Sequence, residues 1–178
     1  MNVVKTKLEG CFIIEPRVYS DNRGFFIETF QVARYQDEVG INEPFVQDNH
    51  SSSVKGVLRG LHFQKTKPQG KLVRVVRGAV FDVALDIRRN SSTFGCWDSV
   101  ILSGENKRQL WVPPGFAHGF LVVSEEAELE YKCTDYYDPS DEAAIIWNDP
   151  DLNISWPLRQ PTLSDKDANA QYFLDFRS

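Results

Sequence analysis

The chain has 178 residues, 42% hydrophobic and 25% charged, with a net charge of −5. That length supports one domain with a proper core, spanning 1–178, and the composition is that of an ordinary soluble globular protein. The acidic balance argues against a nucleic-acid partner, and no run is long enough to cross a bilayer, so no membrane partner is expected.

Met1 to Lys5 lacks an apolar core of signal-peptide length. Three cysteines, Cys11, Cys96 and Cys133, form no close pair. Together these predict reduced thiols in the cytoplasm. Each cysteine sits in a strand-like context, where it acts as a small hydrophobe with no catalytic part.

In chain order, Cys11 to Ile14 reads as a strand that stops at Pro16. Asp21-Asn22-Arg23-Gly24 is a turn by composition, and Phe25 to Phe30 a second strand, flanked by Arg23 and Glu28. Thr29 is placed to cap a short helix through Tyr35 and Val39, with Gly40 past its end. Phe45 to His50 sets polar residues against a short apolar start: either a loop or the hydrogen-bonding wall of a pocket.

Val57-Leu58-Arg59-Gly60-Leu61-His62-Phe63-Gln64 is the most informative stretch. It reads as a strand that carries a guanidinium and an imidazole, both costly to bury without partners. Strict alternation puts Arg59 and His62 on opposite faces. Two readings stand. Arg59 is an edge residue and His62 a satisfied core histidine, or Gly60 marks a bulge that turns both into one pocket. On the second reading Arg59 suits phosphate oxygens and His62 can exchange a proton at neutral pH.

Lys65 to Gly70 reads as an exposed loop, Lys71 to Val76 as a strand, Arg77-Gly78 as a tight turn and Val80 to Arg88 as the next strand. On that strand Asp82, Ala84 and Asp86 share a face, which is either solvent or the wall of a wet barrel. Thr93 to Leu102, Gln109 to Val112, Phe120 to Val123 and Ala127 to Cys133 continue in β style. Asp135 to Pro139 is a loop with exposed aromatics, and Ser164 to Asp167 resembles a helix start. Many short, regularly spaced strands with few helices predict an all-β sandwich or barrel.

Pro113-x-Gly115-x-x-His118 resembles the second motif of cupins, which are jelly-roll barrels. A metal-binding cupin normally carries a His-x-His pair in its first motif; here the place reads His62-Phe63-Gln64. The chain has only three histidines, His50, His62 and His118. The expectation is therefore an all-β cupin-type jelly-roll barrel with a few short peripheral helices and no metal.

Longer stretches resemble one cupin family, the dTDP-4-dehydrorhamnose 3,5-epimerases. Among them are Asp21-Asn22-Arg23-Gly24-Phe25-Phe26-x-Glu28, Phe45 to Ser51, Val57 to Gln64, Gln69 to Arg74 and Glu105 to Trp111. Val80 to Val83, Pro114 to Phe120, Tyr131-Lys132, Tyr136-Tyr137, Ile146-Trp147-Asn148-Asp149 and Leu163-Ser164-x-Lys166-Asp167 complete the set. The resemblance runs from about Val4 to Ala170.

It implies a dTDP-4-keto-6-deoxyhexose substrate and no cofactor. The ketone acidifies the hydrogens at C3 and C5, and inversion needs a base on one face, an acid on the other and a donor at the enolate oxygen. By the family pattern His62 is the base, Asp167 its ring partner, Tyr131 the acid and Lys71 the enolate's neighbour. Arg23 and Arg59 are diphosphate clamps, helped by Lys166, and Tyr137 stacks on thymine. Gln47, Asn49, Glu28 and Glu142 line the nucleotide or sugar site. His118 and Asp82 form a second polar pair, structural or holding a sugar hydroxyl.

The residues alone also permit plainer roles. Asp167 fits a helix cap, Tyr131 an inward aromatic on a strand, Lys71 a solvated strand end and Tyr137 an exposed loop residue. The resemblance further implies a homodimer with an exchanged N-terminal strand, in which Arg23 reaches the neighbour's pocket. Three other activities remain open: a 3-only epimerase, a metal-dependent cupin oxygenase or isomerase, and a non-catalytic sugar-nucleotide binding module.

Overall fold

The computed structural model describes residues 1–177. An N-terminal group comprises β1 (Asn2–Lys5), β2 (Phe12–Glu15), β3 (Val18–Asp21), β4 (Gly24–Ile27) and α1 (Val32–Val39). The barrel strands follow: β5 (Gln47–Val54), β6 (Leu58–Gln64), β7 (Lys71–Arg77), β8 (Ala79–Asp86), β9 (Trp97–Ser103), β10 (Gln109–Val112), β11 (Phe116–Val122), β12 (Glu126–Cys133) and β13 (Glu142–Ala144). Two short helices close the chain, α2 (Asp165–Ala168) and α3 (Phe173–Arg177).

The strands form a six-stranded sheet, β1-β2-β10-β7-β12-β5, and a five-stranded sheet, β13-β6-β11-β8-β9, with β3-β4 a separate hairpin. Neighbours are antiparallel throughout. From β5 to β8, and again from β9 to β13, the chain steps from one sheet to the other at each turn. This is the jelly-roll barrel that the resemblance to cupins implies, within the sandwich-or-barrel class that the strand spacing predicts.

Alternation explains what fills it. Val73 and Val75 of β7, Leu110 and Val112 of β10, and Ala127 and Leu129 of β12 point inward. They meet Val80 and Ala84 of β8 and Phe116, Phe120 and Val122 of β11. Asp82, Ala84 and Asp86 are all buried, so their face is barrel interior rather than solvent. The outer face of the five-stranded sheet, with Leu61, Phe63, Val83 and Leu85, is covered by Leu152, Ile154 and Phe173 from the C-terminal segment. On the other sheet Ile14, Leu72 and Trp111 are covered by Tyr35, Val39 and Ile41.

Three local expectations are corrected: the Thr29 cap, the exposure of Gln69 and Gly70, and the strand setting of Cys96. The cap of α1 is Gln31, whose side chain accepts from the Arg34 N–H at 2.6 Å. Thr29 instead offers its carbonyl to the Tyr35 hydroxyl and the Gln109 amide. Gly40 does end the helix, at φ 85°. The tight turn at Arg77-Gly78 is present, with Gly78 at φ +75°, and it joins strands of different sheets. Gln69 and Gly70 are buried although the loop before them is exposed, and Cys96 is exposed and lies outside any strand.

Candidate active site

The barrel holds a cavity of about 350 Å³. Its walls come from both sheets. β5 supplies Gln47, Asn49 and Ser51, which alternate inward exactly as a half-buried strand should. This settles the Phe45–His50 question in favour of a wall. Lys71 of β7 and Tyr131 of β12 stand on the same side. Arg59 and His62 of β6 and His118 of β11 stand on the opposite sheet.

Arg59 and His62 share the cavity because the strand breaks its own alternation. His62 pairs with His118, but Arg59 pairs with Phe120, so β6 carries one residue more than β11 between those points. The extra residue lies at the Gly60 step, and it turns both side chains to one face. No side chain fits there: a Cβ on Gly60 would lie 2.5 Å from the Gly119 Cα, and one on Gly119 2.7 Å from the Arg59 carbonyl. Gly60 also has φ +128°, a conformation L side chains rarely adopt.

Behind His62 stands Asp167, with Oδ1 2.5 Å from the ring Nε2. The helix-cap reading of Ser164 to Asp167 is also correct. The Asp167 N–H donates to Ser164 Oγ at 3.1 Å while its carboxylate reaches the imidazole. Burial raises the Asp167 carboxyl, but the His62 hydrogen bond and charge, Ser164 and the Gly60 backbone outweigh it and leave it below the usual range. The other ring nitrogen, Nδ1, makes no hydrogen bond among the described residues.

Across the cavity, the Lys71 ammonium lies 6.0 Å from the centre of the Tyr131 ring. Burial pulls the Lys71 pKa down, against the opposing pull of Cys133, Glu142 and Asp82. Burial raises the Tyr131 phenol, so it carries its proton at neutral pH. His118 Nε2 lies 2.8 Å from Asp82 Oδ1, and the second oxygen of Asp82 is buried without a partner among the described residues.

At the mouth, the Tyr137 hydroxyl donates to Glu142 Oε2 at 2.6 Å, which pushes the phenol up to about 12. Lys166 pairs with the same Glu142 oxygen. The Tyr137 N–H donates to Gln47 Oε1 at 2.9 Å, and Gln47 in turn donates to Asn49 at 3.0 Å. Arg59 spends its Nε on Ser53 Oγ at 3.1 Å. The lining thus carries Arg59, Lys71 and two imidazoles against one carboxylate, Glu142, in a chain that is acidic overall. Such a pocket suits an anionic ligand.

A family model described as dTDP-4-dehydrorhamnose 3,5-epimerase matches residues 5–175. The chain belongs to that family. It is 56% identical over 176 residues to the dTDP-4-dehydrorhamnose 3,5-epimerase of Shigella flexneri, covering 98% of this chain and 97% of that one. Among solved structures it is similar to a dTDP-6-deoxy-D-glucose-3,5-epimerase from Legionella pneumophila in complex with dTDP-4-keto-L-rhamnose, with 58% identity, a TM-score of 0.94, and coverage of 96% and 92%. It also resembles a 3'-monoepimerase from Streptomyces bikiniensis in complex with dTDP-quinovose, with 36% identity, a TM-score of 0.89, and coverage of 95% and 86%. Family membership makes the chain an isomerase.

Against the family pattern, the structure groups His62, Lys71, Tyr131, Arg59, Gln47, Asn49, His118, Tyr137 and Glu142 around one cavity, with Asp167 and Lys166 just behind its wall. It does not bring Arg23 or Glu28 there within one epimerase chain. Arg23 sits on the exposed β3–β4 turn, paired with Asp21, and Glu28 pairs with Arg34 at 3.1 Å. Sequence reasoning passed over Ser51, Gln64, Gln69 and Phe120, which also line the cavity. Gln64 accepts from the Asp138 N–H at 2.6 Å and donates to Lys67, and Gln69 donates to the Asp135 carbonyl at 2.8 Å. They tie the two rim loops together. Gln64, two residues past His62 on one strand, was the findable one. Among the described residues no three His, Cys, Asp or Glu side chains group closely enough to hold a metal ion.

Proposed function

We propose that the chain inverts C3 and C5 of dTDP-4-dehydro-6-deoxy-D-glucose, giving dTDP-4-dehydro-L-rhamnose for dTDP-L-rhamnose biosynthesis. The observation that carries this is the carboxylate-backed His62 and the Tyr131 phenol on opposite walls of one cavity, with Lys71 beside the phenol.

In the gluco chair the hydrogens on C3 and C5 are both axial on one face, and both carbons flank the C4 ketone. One imidazole below the ring therefore serves both. His62 takes the proton, the electron pair moves into the C4 carbonyl, and the Lys71 ammonium stabilises the enolate oxygen. Tyr131 returns a proton from the other face, which inverts the carbon. Asp167 fixes the ring's tautomer and orientation. Arg59, with Lys166, meets the diphosphate. Tyr137 stacks on thymine, and Gln47, Asn49, Glu142 and His118 line the remainder of the ligand.

This reading takes 1–178 as a single domain acting in a homodimer. The exposed β3–β4 hairpin, with Phe25 56% and Phe26 69% exposed, supports a partner there. Arg23 and Glu28 on and beside that hairpin then serve the neighbouring chain's pocket. Cytoplasmic work fits three cysteines that are all unpaired.

The likeness to a 3'-monoepimerase favours one rival, inversion at C3 alone. Incubation with dTDP-4-dehydro-6-deoxy-D-glucose in deuterium oxide separates the two. The proposal expects product with solvent deuterium at both C3 and C5; label at C3 alone makes it a 3-epimerase, and none makes it a binding module.

Lys71 yields a pH prediction. Its ammonium is the useful form, and burial lowers its pKa. Activity should therefore fall on the alkaline side before an ordinary lysine, near pH ~10.4, would deprotonate. Lys71→Arg should remove that alkaline limb, and Lys71→Met should cost about 10²–10³-fold in kcat. An unchanged limb in Lys71→Arg would assign it to another group.

A further inference from the structure

Ile146-Trp147-Asn148-Asp149 takes no part in the chemistry above, yet Asp149 is only 2% exposed. Among the described residues no cation pairs with its carboxylate; three backbone N–H groups do. Oδ1 accepts from Asp151 at 2.9 Å and Leu152 at 3.0 Å, and Oδ2 from Phe173 at 2.7 Å. A carboxylate so buried needs such bonds to offset its lost hydration. The first two bonds close the turn after β13. The third crosses to the first residue of α3.

That third bond matters for where Asp167 rides. Upstream, the segment is fastened at Thr162, whose N–H donates to the Gly56 carbonyl at 2.8 Å and whose carbonyl accepts from Leu58 at 3.0 Å. Downstream, Ile146 donates to the Gln171 carbonyl at 2.8 Å, and Asp149 holds Phe173. Between the pins lies α2, a single four-residue turn, too short to hold its own shape. The position of the Asp167 carboxylate is thus set by the two ends together with the Gly60 backbone on the carboxylate and the Lys166–Glu142 pair beside it.

We propose that Asp149 is a positioning residue for the His62–Asp167 pair: by holding the Phe173 N–H it fixes the downstream end of the segment and keeps the Asp167 carboxylate on the imidazole. The inference rests on the dyad reading given under the proposed function. It acts only through Asp167, because Asp149 does not line the cavity.

Asp149→Asn is nearly isosteric. Its carbonyl can keep the turn, but its amide sets donor against donor at Phe173. Asp149→Ser is the second variant, since a hydroxyl can keep the turn and is too short to reach Phe173. A shift of about 1 Å at a catalytic group can cost on the order of 10²-fold. Both variants should therefore lose about 10–100-fold in kcat with KM nearly unchanged.

The KM-against-kcat split and the comparison with Asp167→Asn separate positioning from mere folding. In an Asp167→Asn background, Asp149→Asn should add no further loss. A kcat within about twofold of wild type in either folded Asp149 variant, or the same loss repeated on Asp167→Asn, would overturn the inference alone. A wild-type kcat in Asp167→Asn itself would overturn the dyad reading, and the inference with it.

Discussion

His62→Ala should abolish deuterium uptake at both C3 and C5, with turnover down by about 10²–10⁴-fold, the range a positioned general base supplies. The substitution removes the only imidazole backed by Asp167. It also leaves the Asp167 carboxylate, on a residue 3% exposed, without its main partner, at a cost of about 1–3 kcal/mol of stability. His62→Gln separates the two effects. Its Nε2 amide reaches where the ring Nε2 lies and can still meet Asp167, so stability should largely return while exchange does not. If His62→Gln took up deuterium at the wild-type rate, the base would have to be another group, and His118 is the other imidazole in the cavity.

Tyr131→Phe should do something different. It removes a hydroxyl and keeps a ring that packs against the barrel core, so the fold should survive with little loss. Proton abstraction by His62 remains, and so does enolate stabilisation by Lys71. The enolate then regains a proton from the face that lost it. The expected result is starting sugar that gains deuterium with its configuration retained, and inversion slowed by about 10²–10⁴-fold. Uptake and inversion falling together would place the phenol in enolate formation rather than in reprotonation.

Much of this was legible because strand alternation is a local signal. It gave the two faces of β8, and hence the Asp82 face, up to the choice between solvent and interior; Lys71 and Tyr131 came from the family resemblance. That choice is a tertiary matter: the same Asp-Ala-Asp face reads alike until His118 is known to lie across from Asp82. The bulge at Gly60 was readable as one of two options, because Arg59 and His62 cannot share a face otherwise. Its cause, the contact between Gly60 and Gly119, joins distant strands and leaves no local trace. Asp167 shows the limit from another side. Its cap pattern and its pairing with His62 use different atoms, the amide and the carboxylate, so local reasoning set against each other two readings that coexist. The Thr29 cap failed because turn chemistry says where a chain bends but not which element follows.

The most direct test runs wild type and Tyr131→Phe side by side with dTDP-4-dehydro-6-deoxy-D-glucose in deuterium oxide, counting label and configuration at each carbon by NMR. An imidazole and a phenol working from opposite faces predict inverted, doubly labelled product from the wild type and labelled, uninverted sugar from the variant. Inversion at the wild-type rate by the variant would contradict that arrangement.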